Sequence, residues 1–248
     1  MSAIISEIEA HARAALPALD TEFYDGWQLR FANGHTRRAN SVNFIHRSSL
    51  PLDKKISHCE TAFEQNNQPC HFRLTPLADS SLDALLSSSG YSLSDPTNVL
   101  IQPLKEITFS RRNADVVIEK GISIEGIDAI ARLTGLSPKS RIIFRKMLER
   151  TEYNLLLAMV KSEDKIVACG LGALSNTYLG LFEFATDPEF RRRGYAAAMV
   201  HELFEEAVKV GAGTAYLQAV QSNVVGTNFW NKMGFKNCLY SYHYRSKL

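Results

Sequence analysis

Apolar positions recur along the chain with two periods, and the switches between them mark out the elements. Residues 4–15 open on Ile4, Ile5 and Ile8 among polar residues, the spacing of an amphipathic helix ending near Ala15. Residues 26–32 alternate as a strand and stop at Asn33-Gly34, a hairpin signal, with a second strand expected over 38–45. Ile56, Cys59 and Phe63 share one face of a helix over 52–65. A short strand at 70–74, a short helix at 81–88 and a strand region from Gly90-Tyr91 to Leu104 complete the first half. Residues 105–114 lack apolar periodicity and hold Arg111-Arg112-Asn113, so a boundary is expected there. Beyond it the pattern predicts a strand at 115–120, helices at 124–133 and 140–150, and strands at 154–160, 166–174 and 179–185. Ala196, Met199, Val200, Leu203, Phe204, Ala207 and Val208 then mark a helix, and residues 214–220 a strand.

The order of elements repeats. Setting Gly90 on Gly234, 144 residues apart, places Tyr91 on Phe235, Asp79 on Asn223 and Phe72 on Tyr216 without a gap. Residue identity between the halves is poor, so the repeat is one of element order.

Between the strand at 179–185 and the helix from 196 lies Thr186-Asp187-Pro188-Glu189-Phe190-Arg191-Arg192-Arg193-Gly194-Tyr195-Ala196. The first N–H groups of a helix have no intrahelical partner and lie at the positive end of its dipole. Small residues at 194 and 196 let a bulky anion approach that backbone, and Arg191, Arg192 and Arg193 add charge suited to phosphate oxygens. At the 144-residue offset, Arg47 to Leu52 fall on Arg191 to Ala196; glycine is absent there and Pro51 removes a donor.

The turn, spelled Arg-x-x-Gly-x-Ala, resembles the acetyl-CoA pyrophosphate loop of the GNAT superfamily of N-acetyltransferases. Asn223, Gly226, Phe229, Trp230, Gly234 and Phe235 follow at the spacing of that family's second motif. The resemblance covers roughly residues 116–248. It implies a mixed α/β fold: tandem GNAT-like twisted sheets flanked by helices, with a degenerate GNAT-like half at 1–110 and the acetyltransferase half, carrying the cofactor site, at 116–248. The closing Tyr-x-Tyr-His-Tyr-Arg string is similar to the last strand of two-repeat bacterial members.

The implied activity is direct transfer of an acetyl group from acetyl-CoA to a primary amine, with a small molecule the expected acceptor, in a ternary complex without an acyl-enzyme. Protein lysine or N-terminal acetylation, and a catalytically silent acyl-CoA sensor, are the alternatives. Phe184, Ala185 and Thr186 fall on the strand edge that holds pantetheine and the acetyl carbonyl in the family; Arg191 to Ala196, Tyr195 included, fall on the pyrophosphate loop, and Asn223 on a helix-start residue that also touches the cofactor. Two family positions depart from type. The frequent general-acid tyrosine is Trp230, whose indole N–H is no practical proton source, and the glutamate base of the ribosomal-protein subgroup is Gln218. An attacking alkylamine, of pKa about 10.4 when free, must still lose a proton. Glu183, on the strand beside the thioester, is the candidate base; Tyr240, Tyr242 and Tyr244, alternating on one strand face, are candidate acids. Phe144, Arg145 and Met147 lie on a helix that flanks the acceptor in the family. Trp27, Arg30, Arg37, Arg38 and Asn40 are polar or aromatic for strand positions, fitting either a solvated sheet face with one packed Trp or a wall of the substrate cleft.

Composition excludes more than it adds. The net charge is +2, with basic and acidic residues nearly balanced, which is no nucleic-acid footprint. No apolar run has the length of a membrane span, and the acidic N-terminus is unlike a signal peptide. Cys59, Cys70, Cys169 and Cys238 have neither Cys-x-x-Cys spacing nor a His at ligand spacing, so no metal and no disulfide frame are expected. These features point to a cytoplasmic monomer or homodimer without nucleic-acid or membrane partners.

Overall fold

A computed structural model describes residues 2–105, 107 and 114–247. The boundary expected around Arg111-Arg112-Asn113 lies outside the described residues.

The first half runs α1 (Ser2–Ala15), β1 (Asp20–Tyr24), β2 (Trp27–Phe31), β3 (Ser41–Phe44), α2 (Leu52–Gln65), β4 (His71–Leu74), α3 (Leu82–Ser88) and β5 (Ser92–Pro103). The second runs β6 (Val117–Lys120), α4 (Ile124–Thr134), α5 (Pro138–Leu148), β7 (Asn154–Ser162), β8 (Lys165–Leu174), β9 (Tyr178–Thr186), α6 (Tyr195–Lys209), β10 (Thr214–Val220), α7 (Val224–Lys232) and β11 (Asn237–Ser246). The strand β1, which forms a hairpin with β2, was not expected from the sequence. Local chemistry explains several boundaries. Ser123 and Ser137 cap α4 and α5 by accepting the N–H of Gly126 and Ser140, and Gly135 ends α4 in the left-handed conformation.

All eleven strands form one twisted, mixed sheet in the order β1-β2-β3-β4-β11-β5-β10-β9-β8-β7-β6. The centre of that order is an exchange. β5, the last strand of the first half, pairs antiparallel with β10, from Pro103 opposite Thr214 to Thr97 opposite Val220. β11, the last strand of the second half, pairs with β5 on one side and with β4 on the other, His243 opposite Leu74. Each half therefore closes its sheet with the strand of the other. Withdrawing either strand would open edges in both halves.

Helices cover both faces. Leu29, Phe31, Val42, Phe44, Phe72 and Leu74 pack against Ile56, Cys59 and Phe63 of α2 and Leu82 and Leu86 of α3. α6 lays Met199, Val200, Leu203, Phe204 and Ala207 on Leu179, Leu181, Ala215 and Leu217. The opposite face of β7 to β11 is covered by α4, α5 and, from the first half, α1. On α1, the imidazole Nδ1 of His11 lies 2.7 Å from the Tyr216 hydroxyl of β10, and its ring stacks on Tyr153 at 4.1 Å. Cys59, Cys70 and Cys169 are buried in these layers, where burial pushes the thiols up, to about 12 for Cys70 and Cys169. They pack as protonated thiols.

Two outcomes follow from this interlocking. The two tryptophans report one half each, Trp27 from the first-half core and Trp230 from α7. Single-tryptophan variants (Trp27→Phe and Trp230→Phe) should therefore unfold in urea with coincident midpoints, whereas separate midpoints would contradict one cooperative sheet. Burial holds the His11 imidazole down at about 4 against 6.5 for a free histidine. It is thus neutral when folded and takes up a proton on unfolding, so its stabilisation is complete above pH 6.5 and is lost as the pH falls toward 4. Between pH 7.5 and 5 this amounts to about 2 kcal/mol. Urea unfolding of His11→Leu at both pH values should show a pH dependence smaller by about that amount; an unchanged dependence would contradict it.

Candidate active site

β9 and β10 run parallel, but only in part. Their register pairs Thr214 to Leu217 with Tyr178 to Leu181 and then ends. Beyond it, residues 182–186 of β9 stay on β8, with Ala185 opposite Cys169 and Thr186 opposite Ala168. Residues 218–220 of β10 stay on β5. The sheet is therefore split between the two strands. At the mouth of the split, β9 carries a bulge: the register to β8 shifts between Phe182 and Ala185, and Glu183 takes a positive φ of 51°. Opposite the bulge, Gly170 makes room for the Phe184 ring, which a Cβ would meet at 2.6 Å.

A cavity of about 390 Å³ occupies the split. Glu183, Phe184, Gln218 and Trp230 line it from the second half, Tyr242 and Tyr244 from the last strand. Arg37, Arg38, Asp95 and Thr97 line it from the first half. An Arg38 Nη lies 2.9 Å from Glu183 Oε1, an ion pair joining the halves across the cavity. Arg37 pairs with Asp95, donates to Ser94 Oγ at 2.9 Å, and lies 5.2 Å from the centre of the Tyr244 ring. The Tyr242 hydroxyl donates to Gln218 Oε1 at 2.8 Å. The Tyr244 hydroxyl is buried without a hydrogen-bond partner among the described residues.

Of the residues singled out as strand positions, Trp27 and Arg30 are on β2, but Arg37 and Arg38 lie on a turn of 3₁₀ helix and Asn40 just after it, and their roles divide. Arg37 and Arg38 wall the cavity. Trp27 is in the first-half core, Asn40 accepts the N–H groups of Ala32 and Gly34, and Arg30 is 3% exposed. The alternative of a solvated sheet face is corrected: Trp27, Arg30 and Asn40 are buried, and Arg37 and Arg38 are half-buried at the cavity. Arg30 donates to the carbonyls of Arg38, Arg13 and Leu16 at 2.6, 3.0 and 2.6 Å. Burial first, then Arg13 and Arg73, push its guanidinium down to about 9. Arg73 lies 3.8 Å from the Tyr242 ring centre, on the side of that strand where Glu9 is buried, and pairs with Glu9. Arg13 lies 3.6 Å from the same carboxylate. Burial opposes ionisation of Glu9, but the pairing with Arg73 outweighs it and its pKa lies below the ordinary value. Two guanidinium groups thus share one carboxylate behind Tyr242, and a third, on Arg30, bonds only to carbonyls.

That network also corrects one candidate acid. Tyr240 shares the face of Tyr242 and Tyr244, as alternation requires, but its hydroxyl donates to Glu9 and it does not line the cavity. Burial, then the Glu9 charge, raise its pKa above that of an ordinary tyrosine. Phe144 and Met147 are core residues, and Arg145 pairs with Glu149 at 2.7 Å on the surface. Asp95 and Thr97 were missed. Their signal is Pro96, since a proline inside a strand marks an irregularity, and Asp95 there has a φ of 46°.

The far end of β9 leads into the basic turn. Asp187 caps a turn of 3₁₀ helix over Pro188–Phe190, Arg192 has a φ of 61°, and Gly194, at 83°, is the residue before α6. Ala198 is the first N–H to bond back, to the Gly194 carbonyl at 3.0 Å, so the preceding donors face outward from a helix N-terminus. Arg191 is tied to the Thr186 carbonyl and Arg193 to that of Glu189, its guanidinium 4.8 Å from the Phe190 ring centre. Arg192 has no side-chain hydrogen bond or ion pair among the described residues. Tyr195 and Ala196 form the first turn of α6, half-buried. Asn223 is the N-cap of α7, accepting the Gly226 N–H at 2.9 Å.

In the first half the turn just before the matching helix is filled by the protein itself. Asp25 accepts the N–H groups of Ser49 and Leu50 at 2.9 and 2.8 Å, and Lys55 Nζ lies 3.1 Å from it. These bonds, Leu50's above all, hold the Asp25 carboxyl well below the usual carboxylate range. An internal carboxylate sits where the second half leaves room for an external anion.

Residues 127–235 match the model of the acetyltransferase (GNAT) family, and residues 2–106 match that of the "probable histone acetyltransferase Rv0428c C-terminal" family. Over 246 residues, 98% of both proteins, the chain is 25% identical to the uncharacterized N-acetyltransferase YobR of Bacillus subtilis. Its fold is similar to that of a GCN5-related N-acetyltransferase from Kribbella flavida (TM-score 0.74, 13% identity, 98% of this chain and 95% of the other). It is also similar to a tandem GNAT protein of the clavulanic acid biosynthesis pathway (TM-score 0.66, 10% identity, 84% and 74%). With that model over the split and its basic turn, and an N-acetyltransferase relative along the whole length, residues 127–235 of this chain are a GNAT-family acetyltransferase domain.

Proposed function

We propose that the protein transfers the acetyl group of acetyl-CoA to the primary amine of a small molecule, directly and without an acyl-enzyme. One observation carries this reading: the unpaired side of β9 over 182–186 opens on the cavity at one end and runs into the anion-ready turn of Arg191 to Ala196 at the other. The substrate's pyrophosphate suits the outward N–H groups at the start of α6, with Arg192 the free guanidinium beside them. The acetyl-pantetheine arm suits the β9 edge at Phe184, Ala185 and Thr186, although the Thr186 carbonyl is already engaged by Arg191. A small acceptor is favoured because Arg37, Arg38 and Asp95 of the first half wall one side of the cavity, where a protein substrate would need a groove open across it.

In this scheme Glu183 takes one proton from the bound ammonium. The nitrogen lone pair then forms the C–N bond, the C–S bond breaks, and the sulfur leaves with the bonding pair. The nitrogen's second proton ends on the sulfur, with Tyr242, held inside the cavity by Gln218, as the relay. A thiolate of pKa about 8.5 is a tolerable leaving group, which makes a tyrosine at Trp230 dispensable. Trp230 instead packs edge-on against Phe184 at 5.1 Å and walls the cavity.

The test is a titration with acetyl-CoA followed by thiol release over a panel of amines. Arg192→Glu with Gly194→Glu should abolish binding, because it reverses a charge and places a side chain on a residue at φ 83°. Glu183→Gln should keep binding and lower turnover about 10²-fold or more. Binding that survives the loop pair would refute the pyrophosphate assignment, and binding without turnover on any amine would favour a silent acyl-CoA sensor.

A further inference from the structure

The cavity carries charge in matched pairs, and the pairing bears on which amine it accepts. Arg38 and Glu183 form an ion pair at 2.9 Å with side chains 29% and 19% exposed. Arg38 holds Oε1 of Glu183, so an ammonium seated on that carboxylate, as proposed above, competes with it. Once the ammonium's proton passes to Glu183, Arg38 is left beside the cavity without its counter-charge, and breaking a partly buried pair from one side is costly. A simple amine or a diamine makes this worse, because it adds positive charge where Arg37 and Arg38 already line the wall. Behind Tyr242, moreover, Arg13 and Arg73 share the single carboxylate of Glu9, and Arg30 bonds only to backbone carbonyls. The potential in the cavity favours an incoming negative group.

We propose that the acceptor is an amino acid, its ammonium seated on Glu183 and its carboxylate on Arg38, so that one internal ion pair is replaced by two. A zwitterion alone meets both demands: it releases Glu183 from Arg38 and returns to Arg38 the charge it loses. The planar guanidinium offers the carboxylate two parallel donors. Arg37 is less available, since Asp95 and Ser94 already engage it. The first half of the chain, whose own turn before the helix is filled by Asp25, thereby selects the acceptor for the second.

This inference rests on the acetyltransferase reading, and the experiment separates their failures. Thiol release from acetyl-CoA is followed with matched acceptors: amino acids such as phenylalanine and lysine, each against the amine left when its carboxyl group is removed. The amino acid of a matched pair should be preferred in kcat/KM by about tenfold or more, the scale of one charge-assisted hydrogen-bonded contact. Arg38→Gln should raise KM for the amino acid more than it lowers kcat, and should bring the members of the pair to near parity. Arg30 bonds the backbone carbonyl of Arg38, not its side chain, so the variant should keep its fold, which thermal melting checks. Equal or better turnover of the decarboxylated amines by the wild-type protein would overturn the inference and leave the transferase standing. A preference for the amino acid that survives Arg38→Gln would overturn the assignment to Arg38. No thiol release from any amine, with acetyl-CoA bound, would overturn both.

Discussion

The exchange of closing strands between the halves is the constraint on which the molecule depends. Because β5 completes the ladder of β10 and β11 completes that of β4, neither half can present a finished sheet without the other. The backbone bonds of these central strands are each worth only about 1 kcal/mol net, but they are made or lost together. The exchange also decides where the cleft lies. It holds β10 away from β9 beyond Leu217, and it brings the turn that carries Arg37 and Arg38 across the opening. The Arg38–Glu183 pair is a consequence of that placement: two residues 145 positions apart meet because two strands were traded.

The halves show what becomes of one local device under different demands. Both begin a helix after a polar turn at the same place in the element order. In the second half, Gly194 and the outward N–H groups stay open beside Arg192. In the first, Pro51 has removed a donor and the N–H groups just before it, on Ser49 and Leu50, bond to Asp25. A helix start seeks negative charge whether a ligand or the chain provides it. Supplying the charge internally frees the first half for structural and wall duties.

What could be read from the sequence were the features held within one element or its neighbours. The helix at Leu52–Gln65 and the strand at Thr214–Val220 match their apolar spacing, and the basic turn could be read because its chemistry is contiguous. The strand exchange could not be read, since the alternation in β5 and β11 is the same whichever neighbours they have. Asp25 escaped notice for a related reason: nothing near it signals a partner 24 residues ahead. The three tyrosines of β11 were correctly placed on one face, but alternation says nothing of depth along a strand, and depth separates Tyr240 on Glu9 from Tyr242 on Gln218. The polar residues of the first sheet were visible as anomalies; their division into cleft wall and buried support is a tertiary fact.

The central claim is that the divergence of β9 from β10 is where acetyl donor and amine meet. The most direct measurement is a crystal structure of the protein grown with acetyl-CoA. The account predicts pyrophosphate density on the N–H groups at the start of α6 and the acetyl group in the cavity between Glu183 and Tyr242. Density for the donor elsewhere, or an acetyl group out of reach of Glu183, would contradict it.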